Sequence, residues 1–181
     1  MRVITGTARG RKLVTLEGES VRPTTDMVKE AMFSIIQFEI EGKKVIDLFS
    51  GSGQLGIEAL SRGAASAVFV DSSRASINVT EKNLSDTGLR HLSKTVLSDS
   101  LSYLDRTGEY YDIALLDPPY EAGLMGEALT RLAPHMNAGG VMICETSAKE
   151  VLPECIPGFT SKRYKYGKIA LTVYRKDTEN V

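Results

Sequence analysis

The chain has 181 residues, 42% of them apolar and 25% charged, with a formal net charge of −1. That length suits one core and one domain, and the composition excludes a disordered or fibrous protein. The longest apolar runs are strand-sized, the N-terminus lacks a secretory apolar stretch, and Cys144 and Cys155 are too isolated for a disulfide framework or a zinc site. A cytoplasmic monomer with no membrane segment and no metal is therefore expected. Near-neutral charge argues mildly against nucleic acid, but the cations are uneven. Arg2, Arg9, Arg11, Lys12 and Arg22 crowd the start, and Lys162, Arg163, Lys165 and Lys168 crowd the end with no acid among them. They are either solvated surface or, if the fold joins them, a phosphate-binding face.

Residues 1–22 read as a small β arm with turns at Thr7-Ala8-Arg9-Gly10 and Glu17-Gly18. Arg22-Pro23-Thr24-Thr25-Asp26 then looks like a helix start, a Thr cap with an acid in the first turn. Val28, Ala31, Met32, Ile35 and Ile36 follow at helical spacing, and Gly42 marks the expected end. From Lys43 onward the rhythm is strand, loop, helix. Strands are expected at Val45–Leu48, Ala67–Val70, Thr95–Leu97, Tyr111–Leu116 and Val141–Cys144, the last entered by a turn at Gly139-Gly140. Helices are expected from Leu55 to a stop at Gly63, from Ser73 to Leu84 and from Leu124 to Met136. Two strands, Ser161–Tyr166 and Ile169–Tyr174, close the chain around Gly167. Alternating elements with apolar, unalternating strands imply an α/β, Rossmann-like fold, a mostly parallel sheet covered on both faces with an antiparallel C-terminal hairpin.

Gly51-Ser52-Gly53-Gln54-Leu55-Gly56 is a literal G-x-G-x-x-G between a strand and a helix. Alone it suggests a dinucleotide, and it is equally an ordinary tight turn. Asp47, just ahead of it, would repel a pyrophosphate but suits a ligand with an ammonium group. Asp71 ends the second strand, where an acid accepts hydrogen bonds from ribose hydroxyls. Asp99, near the end of the third, would accept from an adenine amino group or, alternatively, cap a helix. S-adenosylmethionine carries an amino acid, a sulfonium and one ribose, and it matches this row of acids.

Asp117-Pro118-Pro119-Tyr120 follows the apolar strand Ile113-Ala114-Leu115-Leu116. Two prolines fix φ and remove two donors, so the backbone leaves the sheet stiff and extended. The Asp117 carboxylate and the Pro118 carbonyl become neighbouring acceptors for both hydrogens of a planar NH₂ group. That would localise the amino lone pair and aim it at a methyl carbon, while the carboxylate stabilises the developing positive charge. Tyr120 offers a face for the base to stack on. A plain proline turn ending a strand is the alternative.

With these residues in place a resemblance emerges. Val45-Ile46-Asp47-Leu48-Phe49-Ser50-Gly51-Ser52-Gly53 resembles motif I of class I methyltransferases, and Asp117-Pro118-Pro119-Tyr120 resembles the (Asn/Asp)-Pro-Pro-(Tyr/Phe/Trp) motif of their amino-nitrogen branch. Met1-Arg2-Val3-Ile4-Thr5-Gly6, Arg9-Gly10-Arg11-Lys12-Leu13, Arg22-Pro23-Thr24-Thr25-Asp26, Leu55 to Ala64 and the closing Tyr166-Gly167 are similar to the RsmD family of bacterial 16S ribosomal RNA guanine-N2 methyltransferases. The likeness runs over essentially the whole chain.

The resemblance implies S-adenosylmethionine held by Asp47, Phe49, Gly51, Ser52, Gly53, Asp71, Ser72, Asp99, Ser100 and Asp117. It implies a flipped-out guanine at Asp117, Pro118, Pro119 and Tyr120, with 16S rRNA touched by Arg2, Arg9, Arg11, Lys12, Arg22 and Thr24. The expected organisation is an RNA-contacting arm, 1–22, before a methyltransferase domain, 23–181, acting on the small ribosomal subunit or an assembly intermediate. Gln54 departs from the family pattern, and so does Asp71-Ser72-Ser73, which replaces a longer acidic segment. The same tetrapeptide also serves DNA adenine and protein glutamine methylation, and a catalytically inactive RNA-binding assembly factor would keep the fold.

Overall fold

The computed structural model describes residues 1–16, 26–119 and 123–178. The short runs read as strands join into one seven-stranded sheet. β1 (Lys44–Asp47), β2 (Ser66–Asp71), β3 (Ser93–Leu97), β4 (Tyr111–Leu116) and β5 (Met136–Ser147) pair in parallel. β6 (Phe159–Tyr166) and β7 (Ile169–Lys176) form an antiparallel hairpin that adds to β5 through β7, giving the order β3-β2-β1-β4-β5-β7-β6. The helices are α1 (Asp26–Ile35), α2 (Gln54–Ser61), α3 (Arg74–Thr87), α4 (Ser100–Arg106) and α5 (Leu124–Leu132).

Successive strand residues face opposite sides of the sheet, so each strand feeds two cores. Val45, Phe69, Ile113 and Ile143 pack beneath α1, α2 and α3. Ile46, Val70, Ala114 and Cys144 pack beneath α4 and α5. These strands are buried on both faces, which is why their sequences are apolar without alternation. Among the described residues no helix is long and apolar enough to cross a membrane.

Several boundaries depart from the sequence expectation for local reasons. α1 stops at Ile35 rather than Gly42, because the Glu39 N–H turns back to the Ile36 carbonyl and Phe38, 93% exposed, breaks the apolar face. α3 runs on to Thr87 through a polar last turn that Gly88 terminates at φ +76°. α4 was not anticipated: seven residues are too few to show a period. The helix before β5 ends at Leu132, and a single 3₁₀ turn, Ala133–His135, carries the chain to Met136. Gly139 and Gly140 lie within β5 instead of ahead of it. The pairing with β4 jumps there from Tyr111–Met136 to Ile113–Val141, and a Cβ on Gly140 would meet the Asp112 carbonyl at 3.1 Å. Glu17-Gly18 lies outside the described residues.

The N-terminal arm is one hairpin, with Arg2 bridged to Lys12, and it is fastened to the domain along α2. The Glu58 carboxylate, fully buried, accepts from the Ile4 and Thr5 N–H groups and ion-pairs with Lys29 of α1 and with Arg62. The Ser61 hydroxyl donates to the Thr5 carbonyl and accepts from the Ala8 N–H. Gly6, at φ +89°, sits so close that a Cβ would fall 1.7 Å from the Ser61 carbonyl oxygen. Removing one partner of such a buried ionic group leaves the rest uncompensated, at a cost of about 3–5 kcal/mol.

Candidate active site

The carboxyl ends of adjacent parallel strands are where this architecture offers room for a ligand. Asp47 ends β1, level with Phe69 of β2 and Leu115 of β4; Asp71 and Asp117 stand two residues further along those neighbours. Three carboxylates therefore face one another across β2, β1 and β4. Asp47 is 1% exposed, and its Oδ2 accepts from the Gly56 N–H at 2.8 Å. Burial pushes its carboxyl up to about 7, the charges of Asp117 and Asp71 push the same way, and the Gly56 N–H opposes them. Among the described residues no lysine or arginine ion-pairs with Asp47 or Asp71. Asp47 and Asp71 thus meet no balancing cation among the described residues, and a cationic ligand would supply one.

The glycine loop is shaped from three directions. Asp71 accepts from the Gly51 N–H at 2.9 Å through Oδ2 and from the Ser73 N–H at 2.8 Å through Oδ1. Thr80 of α3 donates its hydroxyl to the Gly51 carbonyl at 2.9 Å, and its methyl occupies the space a Cβ on Gly53 would need. Asn83, fully buried one turn on, donates to the Ser52 carbonyl at 2.8 Å. It also donates to the Val14 carbonyl and accepts from the Val14 N–H, so one amide fastens the loop to the hairpin. Gly53 itself, at φ +79°, begins α2. Sequence reasoning missed Thr80 and Asn83. Their signal was two polar residues on the helix face that also carries Ile77 and Leu84.

Other expected cofactor residues fall around this loop in different states. Phe49 is half-buried against the α4–α5 core, and Ser72 is exposed beside Asp71. The Ser52 hydroxyl points to the Met1 sulfur at 3.7 Å. Ser100 is buried and donates its hydroxyl to the Leu48 carbonyl, fastening α4 to the end of β1. Asp99 caps α4: its Oδ1 accepts from the Ser102 N–H at 2.8 Å, and that bond holds its carboxyl below the usual range. The helix-cap alternative therefore describes at least one of its oxygens.

At the tip of β4, Pro118 is buried and Pro119 exposed, so the peptide after Asp117 is rooted while the next residue projects. Tyr120, Arg22 and Thr24 lie outside the described residues. Arg2, Arg9, Arg11 and Lys12 are all exposed on the hairpin, Arg2 within 3.6 Å of Asp26. They are spread along the hairpin rather than gathered at one end of it. Met1 meets the loop at the start of α2 and Val14 is joined to that loop through Asn83, whereas Gly6 to Ala8 meet Ser61 at its far end, so Arg9 lies on the half directed away from Asp117.

These residues fit S-adenosylmethionine. The acids suit a ligand bearing an ammonium and a sulfonium, and the glycines leave backbone approachable where a Cβ would intrude. The buried Ser50 hydroxyl, next to the loop, has no hydrogen-bond partner among the described residues.

A family model described as conserved hypothetical protein 95 matches residues 1–175. The candidate rRNA methyltransferase YlbH of Bacillus subtilis is 34% identical over 97% of this chain and 99% of its own. The ribosomal RNA small subunit methyltransferase D of Escherichia coli K12 is 32% identical over 99% of this chain and 91% of its own. Among solved structures, the candidate methyltransferase yhhF of Escherichia coli superposes with a TM-score of 0.88 at 30% identity, covering 99% of both chains. With its sheet order, its acid-lined glycine loop and its Asp-Pro-Pro strand end, the chain belongs to the RsmD family of methyltransferases, the family of conserved hypothetical protein 95.

Proposed function

We propose that this protein transfers a methyl group from S-adenosylmethionine to the exocyclic N2 of a guanine in 16S ribosomal RNA. The observation that carries the reading is the placement of Asp117 and the Pro118 carbonyl at the strand end adjoining the Asp47–Asp71 cradle. An amino group held by the first is presented to a cationic ligand held by the second. The name of the Escherichia coli relative supports the small subunit as substrate.

Asp47, Gly51, Gly53 and Asp71 would hold the cofactor, with Phe49, Ser52, Ser72, Asp99 and Ser100 around them. Bound there, S-adenosylmethionine supplies an electrophilic methyl. Asp117 and the Pro118 carbonyl accept the two N–H groups of the guanine amine, drawing its lone pair out of conjugation and fixing its direction. The carboxylate then opposes the positive charge that grows on nitrogen until one of the two amine protons is lost to solvent. A guanine amine in a paired stem is out of reach, so the base must be unpaired or flipped. Asp47, neutral or ionised near pH 7, adjusts how much negative charge the cofactor meets.

The test is to incubate the protein with methyl-labelled S-adenosylmethionine and small subunits lacking the modification, then digest the RNA to nucleosides. Label in N2-methylguanosine is expected. Label in another nucleoside would keep the chemistry and overturn the substrate atom, and protein-free RNA run alongside shows whether the assembled particle is required.

A further inference from the structure

Most cations over the middle of the molecule are matched: Lys44, Lys82, Lys94, Arg90, Arg131 and Arg175 each ion-pair with a carboxylate. Lys149, Lys162, Lys165 and Lys168 are exposed and, among the described residues, pair with none. Three of them share one end of the sheet. Lys165 is in register with Ala170, which is in register with Thr146 near the carboxyl end of β5. The Lys168 carbonyl accepts from the Ala148 N–H, bringing the β6–β7 turn against the loop that leaves β5. Arg163 fixes that loop, its guanidinium donating to the carbonyls of Ser147, Ala148 and Glu150, so Lys149 is held beside the turn.

The strand order gives this cluster a meaning. β4, with Asp117 at its tip, lies between β1–β2–β3 on one side and β5–β7–β6 on the other. A cofactor over Asp47 and Asp71 occupies the first side. The second side is open to the neighbours of a nucleotide entering Asp117, and three inter-strand spacings, roughly 14 Å, separate β4 from β6 there. We propose that Lys149, Lys165 and Lys168 form a phosphate-binding surface that holds the RNA strand next to the target guanine, across Asp117 from the cofactor. This rests on the functional reading above. It differs from the hairpin contact expected from sequence, because the hairpin lies on α2.

The experiment compares the full-length protein with the triple variant Lys149→Ala/Lys165→Ala/Lys168→Ala and with Lys82→Ala as a surface control. Affinity for a protein-free small-subunit rRNA fragment is measured across a salt series, with S-adenosylmethionine affinity and the single-turnover methylation rate measured in parallel. The triple variant is expected to bind RNA at least about tenfold more weakly, with a log–log salt slope smaller by about 2. Cofactor affinity and the rate at saturating RNA stay at the values of the unaltered protein. A triple Lys→Arg variant restores RNA binding if charge is the cause. Unchanged RNA affinity and slope would overturn the proposal. So would a defect confined to assembled subunits, which would assign the lysines to a protein neighbour. If the unaltered protein transfers no methyl to the fragment or to assembled small subunits, the functional reading fails. The surface then still stands if the triple variant loses RNA affinity and falls if it does not.

Discussion

Gly51, at the loop after β1, is held by a carboxylate on its N–H and by the Thr80 hydroxyl on its carbonyl, while the neighbouring Ser52 carbonyl is held by Asn83. At the tip of β4, two consecutive prolines have no N–H to donate, and their rings restrict the direction of the chain. One half of the site is positioned by hydrogen bonds from other elements, and the other is stiffened covalently within a few residues. Substitutions in the first half should therefore disturb folding and cofactor binding together. Substitutions in the second should remove catalysis and leave the fold alone.

The largest expected effect probes the second half. Asp117→Ala should lower the single-turnover methylation rate by at least about a thousandfold, removing an acceptor and the stabilising charge together. Its thermal stability should stay near that of the unaltered protein, with cofactor affinity within about tenfold. A large loss of stability would erase the contrast between the halves.

Asn83→Ala probes the first half. It leaves the Ser52 carbonyl and both Val14 main-chain groups without their partner, which costs about 2–3 kcal/mol in denaturant unfolding. The Michaelis constant for S-adenosylmethionine should rise, while turnover at saturating cofactor stays within about twofold.

Titration sharpens the comparison next. The Asp47 carboxyl is raised to about 7 from an ordinary 3.8, so between those values the folded protein keeps a proton that the unfolded chain has released. Its contribution to stability is full below pH 4 and declines as pH rises to 7. A cationic ligand favours the ionised form, so cofactor affinity should increase through pH 7. Asp47→Asn should flatten both profiles, measured by calorimetry and by unfolding between pH 5 and 8. The smallest effect is expected from Asp99→Ala, which loses the cap of α4 and about 1 kcal/mol of stability. A modest loss of cofactor affinity would show that its second oxygen also reaches the ligand.

The parts legible in the sequence were those written by local rules. Gly63 stops a helix, apolar runs make the parallel strands, and Gly167 closes the last hairpin because each requirement is met within a few residues. The acids at strand ends were legible because a strand end is itself a sequence feature. Asn83 was not: its partners Ser52 and Val14 are remote in sequence, and a buried asparagine on a helix looks like any polar residue until the fold closes. The bulge in β5 escaped for a similar reason, since Gly139-Gly140 signals a turn and only the adjoining β4 shows that the strand continues through it. The hairpin cations were seen but not their direction, which Glu58 and Ser61 fix along α2.

The most direct test of the central claim, that Asp117 and Pro118 read a guanine amine, replaces the target guanosine in the RNA with inosine. Inosine lacks only the exocyclic amino group. Methyl transfer should vanish while RNA affinity stays within about threefold of the natural sequence. Continued methylation of the inosine substrate would contradict the assignment and place the reacting atom elsewhere on the base.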